Sequence, residues 1–125
     1  SLDVNRCIQM SLLHDFGESL VGDVAPLDEI DKNLKQNAEK QCLQTLDMIV
    51  AQSKFAHSRL FKLWQEYASC QTNEARFVKD MDRFEMLVQA YEYEKAQGVD
   101  LQQFFDTTPL SLFHYPKVAE WVEEL

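Results

Sequence analysis

The sequence predicts an all-α fold, a helical bundle of about five to six helices built as a single domain over residues 1–125. Three observations carry that expectation. Apolar residues recur three and four positions apart over long stretches, and nowhere do they alternate with polar ones as in a half-buried strand. Only three glycines and three prolines interrupt 125 residues, which leaves little turn chemistry for a chain of short strands. Hydrophobic residues make up 46% of the chain, enough to bury a core and too many for a disordered segment.

Taken in order, a first helix is expected over 3–16, with Asp3 as N-cap and Val4, Cys7, Ile8, Ser11 and Leu12 as its buried face. Gly17 and Gly22 bracket a connection, and Pro26 opposes helical continuation. A second helix is expected to start between Asp28 and Asp31 and to reach Ala51, with Leu34, Ala38, Cys42, Leu46 and Ile49 as its apolar stripe. A third, from about Ser58 to Ser69, would bury Leu60, Phe61, Trp64 and Tyr67. Asn73 can cap a fourth that runs to Gly98, a suitable residue just past a helix end. A turn through Phe104-Phe105 follows, and Pro116 fits the first position of a terminal helix.

The composition limits the function classes. Twenty-one acidic residues against twelve basic ones give a formal net charge of −9, which disfavours a polymeric nucleic-acid partner, because such binding needs a basic stripe. A mononucleotide is still allowed, since a bound cation can supply the missing positive charge. No run of eighteen apolar residues suggests a membrane span. Cys7, Cys42 and Cys70 are odd in number and widely spaced, as expected of reduced packing residues in a cytoplasmic protein.

The chemistry-bearing residues gather early. His14-Asp15 ends the first apolar run, Glu18 lies four residues on, and Asp23 follows Gly22. A second carboxylate, Asp82, falls on one of two apolar rows of the fourth helix, the row with Ala75, Val78, Met86 and Tyr93. A buried carboxylate needs a cation, a hydrogen-bonding partner or a proton. An imidazole and two carboxylates suit a divalent cation such as manganese, cobalt, zinc, magnesium or iron. Plainer roles stay open at this point: His14 could cap the last carbonyls of its helix, and Asp82 could pair with Lys79 or an arginine.

The stretch 14–26, His-Asp-Phe-Gly-Glu-Ser-Leu-Val-Gly-Asp-Val-Ala-Pro, resembles the second metal-binding motif of the HD-domain 5′-deoxynucleotidases. Residues 77–82, Phe-Val-Lys-Asp-Met-Asp, are similar to that family's final ligand segment, and Leu63-Trp64-Gln65-Glu66-Tyr67 to its intervening helix. Glu92-Tyr93-Glu94 and His114 also have similar counterparts in its eukaryotic members. The resemblance implies an all-helical, dimeric phosphohydrolase that removes the 5′-phosphate of deoxynucleoside monophosphates. It implies His14, Asp15 and Asp82 as metal ligands, Glu18 as the residue that positions or deprotonates the attacking water, and Asp23 as a further catalytic residue of the same pocket. One feature departs from the pattern. Family members carry an upstream histidine as the remaining ligand, and a still earlier Arg-Trp pair for substrate. Neither precedes Asp3, and neither His57 nor His114 matches the missing position. The expectation is that roughly the first third of such a domain, with its N-terminal helices, is absent from this sequence.

Two other functions compete. The same framework could hydrolyse a different phosphate ester, or the chain could be a non-catalytic nucleotide-binding or dimerisation module. Oxidation at a dinuclear iron centre would call for more histidines near the first pair, and none occurs between Asp15 and Ala56. Trp64, Phe104, Phe105, Phe113 and Trp121 are candidates for a homodimer face.

Overall fold

The computed structural model describes residues 1–23, 30–52 and 59–125. The helix start expected near Ser58, Pro26, and His57 lie outside the described residues, as does Asp28, the earlier bound for the start of the second helix. Among those described there is no strand, and the all-α expectation holds. The chain divides into two compact units, Ser1–Ala75 and Arg76–Leu125.

The first unit contains α1 (Val4–Leu13), α2 (Glu18–Val21), α3 (Lys32–Ala51) and α4 (Leu60–Ser69). Its packing runs α1 against α4, α4 against α3, and α3 against α2. Asp3 caps α1 by accepting a hydrogen bond from the Arg6 N–H at 3.1 Å, as its position predicts. The buried face of α1 is Cys7, Met10 and Leu13, whereas Val4, Ile8 and Leu12 are 65%, 52% and 71% exposed. The expected face was therefore rotated about the helix axis. Polar anchors set the rotation: Arg6 pairs with Glu66 of α4 at 2.7 Å, and the Asp3 N–H donates to Glu74 at 2.9 Å. Both anchors lie on the Met10 side of the helix at 100° per residue.

Asp31 caps α3, accepting from the Asn33 N–H at 2.8 Å. Cys42 and Leu43 are the buried residues of α3, while Leu34 and Ile49, expected in its stripe, are exposed. In α4 the buried pair is Leu63 and Trp64, and the Trp64 ring stacks on Phe61 with centroids 6.1 Å apart. Trp64 is thus core, which removes it from the candidate dimer face. Cys70 ends α4 in the left-handed region (φ 52°, ψ 36°), a position usually held by glycine.

The long helix α5 (Asn73–Gln97) is capped by Thr72 rather than Asn73, because the Thr72 hydroxyl accepts from the Ala75 N–H at 3.2 Å. It ends as expected at Gly98, whose φ of 65° suits a residue without Cβ. In the second unit α5 is followed by α6 (Gln102–Asp106), a 3₁₀ turn (Leu110–Leu112) and α7 (Pro116–Glu123), with Pro116 opening α7. Val78, Leu87, Ala90 and Val118 are buried there, with Phe77 edge-on to Tyr115 at 5.5 Å and Phe84 tilted on Trp121 at 5.8 Å.

Candidate functional site

His14 is the C-cap of α1, one residue past its last turn. Its Nδ1 lies 2.7 Å from the Ser11 carbonyl oxygen, so the histidine does contact a late helix carbonyl, the simpler role open to it. A carbonyl only accepts, so Nδ1 carries the proton in that bond. Nε2 is the ring nitrogen on the Asp15 side. Nε2 sits 3.2 Å from Asp15 Oδ1. A proton or a cation between that nitrogen and the carboxylate oxygen makes the contact attractive. The His14 ring is mostly buried against Tyr67 of α4, with centroids 5.1 Å apart, while the Asp15 side chain is 64% exposed. The pair therefore has one rigid member and one open to solvent. Its donor set, imidazole nitrogen with carboxylate oxygen, fits a divalent cation of the borderline class.

Glu18 is the first residue of α2, and its placement depends on a glycine. A Cβ on Gly17 would meet Glu39 Cβ and Cγ at 2.9 Å, so only glycine lets the α1–α2 connection lie this close to α3. Across that contact Lys35 reaches Glu18 Oε1 at 3.1 Å and Glu39 at 3.4 Å. Burial pulls the Lys35 ammonium pKa down, but the hydrogen bonds and charges of Glu18 and Glu39 outweigh it and hold it above the ordinary lysine value. The bridge restrains Glu18 through one oxygen. Asp23 is exposed and lies beyond α2, after Gly22 at φ 85°. Lys35, Tyr67 and Ser11, which orient these groups, were not anticipated. A lysine seventeen residues from its glutamate leaves no local pattern to read.

Asp82 is half-buried in the middle of α5, in the second unit. The fully buried carboxylate of that helix is Asp80, two residues earlier. Its Oδ2 accepts from the His114 and Tyr115 N–H groups at 2.7 and 2.8 Å, and its Oδ1 lies 3.0 Å from His114 Nδ1 and 3.6 Å from Arg83. Asp80 thus ties the turn before α7 to α5. Among the described residues no three His, Cys, Asp or Glu side chains converge as a ready metal cage. His14, Asp15 and Glu18 belong to one unit, and Asp82 to the other.

Comparison with known proteins agrees with the sequence motifs. The HD domain family model matches residues 1–114. The 5′-deoxynucleotidase HDDC2 of Dictyostelium discoideum is 46% identical over 120 residues, covering 92% of this chain and 62% of that protein. The mouse protein of the same name is 36% identical over 126 residues, with 99% of this chain and 62% of the relative covered. The 5′-deoxynucleotidase YGK1 of Saccharomyces cerevisiae is 36% identical over 129 residues, covering 100% and 59%. The chain thus spans about three fifths of the length of the curated relatives it matches. With a family model matched along most of its residues, and with relatives this similar, the chain belongs to the HD-domain family.

Proposed function

We propose that the protein of which this chain forms part is a metal-dependent phosphohydrolase that removes the 5′-phosphate of deoxynucleoside monophosphates. The relatives named as 5′-deoxynucleotidases support the reaction class. The observation that carries it to particular atoms is the approach of His14 Nε2 to Asp15 Oδ1 at 3.2 Å. His14 and Asp15 would hold the cation with Asp82, the last assigned by its match to the family's ligand segment. A cation bound there supplies positive charge that draws the phosphoryl group and acidifies water toward neutral pH. Manganese and cobalt are the first ions to try.

Glu18 would position the attacking water. Lys35 occupies one carboxylate oxygen, which leaves the other to accept a hydrogen bond. Asp23, exposed beyond α2, would act on a substrate hydroxyl or the leaving oxygen. The working state would be a cytoplasmic homodimer, for which Trp121, exposed on α7, is a better candidate than Trp64. Among the described residues, no helix is long and apolar enough to cross a membrane.

The test uses the full-length protein, with phosphate release from dAMP, dGMP and dTMP in manganese or cobalt. Glu18→Gln keeps the size of the side chain and should lower kcat about 10²-fold while metal content holds. Asp82→Asn should lower metal occupancy with helicity retained. Turnover within a factor of about three of wild type in Glu18→Gln would remove Glu18 from the chemistry. Bound metal without phosphate release in wild type would favour the non-catalytic module.

A further inference from the structure

A groove of about 460 Å³ opens in the first unit between α1 and α4, and its charge is opposite to that of the chain. The chain carries twenty-one acidic and twelve basic residues, yet Arg6, Arg59 and Lys62 line this groove against a single carboxylate, Glu66. That carboxylate is already engaged. Its Oε2 accepts from Arg6 Nε at 2.8 Å and Nη2 at 2.7 Å, and its Oε1 from the Thr72 hydroxyl at 2.6 Å. Glu66 therefore offsets Arg6 and fixes one edge of its guanidinium, while the Nη1 donors have no partner among the described residues.

Arg59 and Lys62 make no ion pair among the described residues. They stand at the N-cap and in the first turn of ten-residue α4, which has no acidic residue in that turn and no side-chain cap on Arg59. The helix dipole presents positive charge there, so two cations at this end oppose it at some cost in stability. An anion in the groove would reverse that cost, because dipole, ammonium and both guanidinium groups would then act on it together.

We propose that this groove binds a small phosphate-bearing molecule, at a site separate from the His14–Asp15 pair. Two guanidinium forks and an ammonium around one groove suit a phosphate dianion, which gathers two charges and three acceptor oxygens on one centre where a carboxylate offers one charge and two oxygens. The volume lies in the range of pockets that take a whole mononucleotide-sized ligand. Arg6 and His14 are eight residues apart on α1, roughly 12 Å at 1.5 Å per residue, so the groove is not an extension of the imidazole–carboxylate pair.

The experiment is an NMR titration of the full-length protein with inorganic phosphate, in chelator and at constant ionic strength. Saturable shifts are expected at the Leu60–Leu63 amides and at Arg6 Nε. Arg59→Gln/Lys62→Gln should weaken binding at least about tenfold, since hydrogen bonds to charged groups carry most of it. Arg59→Lys/Lys62→Arg, which keeps both charges, should bind within about threefold of wild type. Asp82→Asn should leave these shifts unchanged, which separates this site from the metal centre. Equal affinity in the double glutamine variant would overturn the proposal. So would shifts that centre on residues 14–18 and vanish in Asp82→Asn, or succinate binding as tightly as phosphate.

Discussion

Among the described residues histidine pairs with aspartate at two places, and the two pairs have opposite characters. At His14–Asp15 the imidazole spends Nδ1 on a backbone carbonyl and turns Nε2 toward a carboxylate that is mostly in solvent. At Asp80–His114 the carboxylate is fully buried and takes two backbone N–H groups along with the imidazole Nδ1. Identical residue types thus make an open corner suited to an outside ligand and a closed corner that holds a turn in place. Burial of the acid, and the number of donors already pointed at it, separate the two.

The largest effect should come from the closed corner. Asp80→Ala removes the acceptor of the His114 and Tyr115 N–H groups and leaves both without it. Hydrogen bonds to a charged acceptor contribute about 1.5–3 kcal/mol each, so a loss of roughly 3 kcal/mol or more in folding free energy is expected. Urea unfolding followed by circular dichroism measures it. A midpoint unchanged from wild type would mean that the turn before α7 does not depend on Asp80, and the contrast between the corners would fail.

The sequence shows the open corner better than the closed one, for physical reasons. Helix ends are readable where one residue type decides them: Asp3, Gly98 and Pro116 all act as their chemistry predicts. The motif that includes His14, Asp15 and Glu18 is continuous along the chain, so its pattern survives in one dimension. Asp80 is paired thirty-four residues away with backbone N–H groups, and backbone leaves no trace in a sequence. The apolar rows of α5 misled for a related reason. Its buried positions shift around the helix, with Ala75 and Val78 on one side and Leu87 and Ala90 turned from them. A single straight row through such a helix selects Asp82 as the buried acid and passes over Asp80. On α1 the face was rotated because Arg6 and Asp3 anchor it through partners more than fifty residues away.

An intermediate effect is expected at Gly17, which supports the open corner from behind. A methyl group there would meet Glu39 Cβ and Cγ at 2.9 Å, beside α3 backbone at 3.2 Å. Gly17→Ala should destabilise by about 1–3 kcal/mol, the usual range for overpacking. It should also displace Glu18 from Lys35. The raised Lys35 pKa gives a second readout with a defined sign. A raised ammonium contributes stability that is complete below its unfolded value near 10.4 and is lost as pH climbs through the higher folded value. Gly17→Ala should therefore flatten the alkaline fall in stability as well as lower the plateau. An alkaline limb identical to wild type would show that the Gly17 contact does not hold the Glu18–Lys35 bridge.

The smallest effect on the apoprotein should come from Asp15→Asn, and it makes the sharpest contrast with Asp80. Asp15 is mostly solvated, so water replaces what its carboxylate loses. Exposed pairs of this kind are worth about 0–1 kcal/mol, and in chelator the variant should unfold within roughly 0.5 kcal/mol of wild type. The difference should appear only when metal is added. A ligand that binds the folded state alone stabilises it by RT ln(1 + [L]/Kd), about 2.7 kcal/mol at a hundredfold excess over Kd. Wild type should gain that increment in manganese, and Asp15→Asn should gain much less, since an amide oxygen is a weaker ligand than a carboxylate. If the variant matched wild type with metal and fell short of it in chelator, Asp15 would belong with Asp80 as a structural acid. The open corner would then owe its geometry to folding rather than to a ligand.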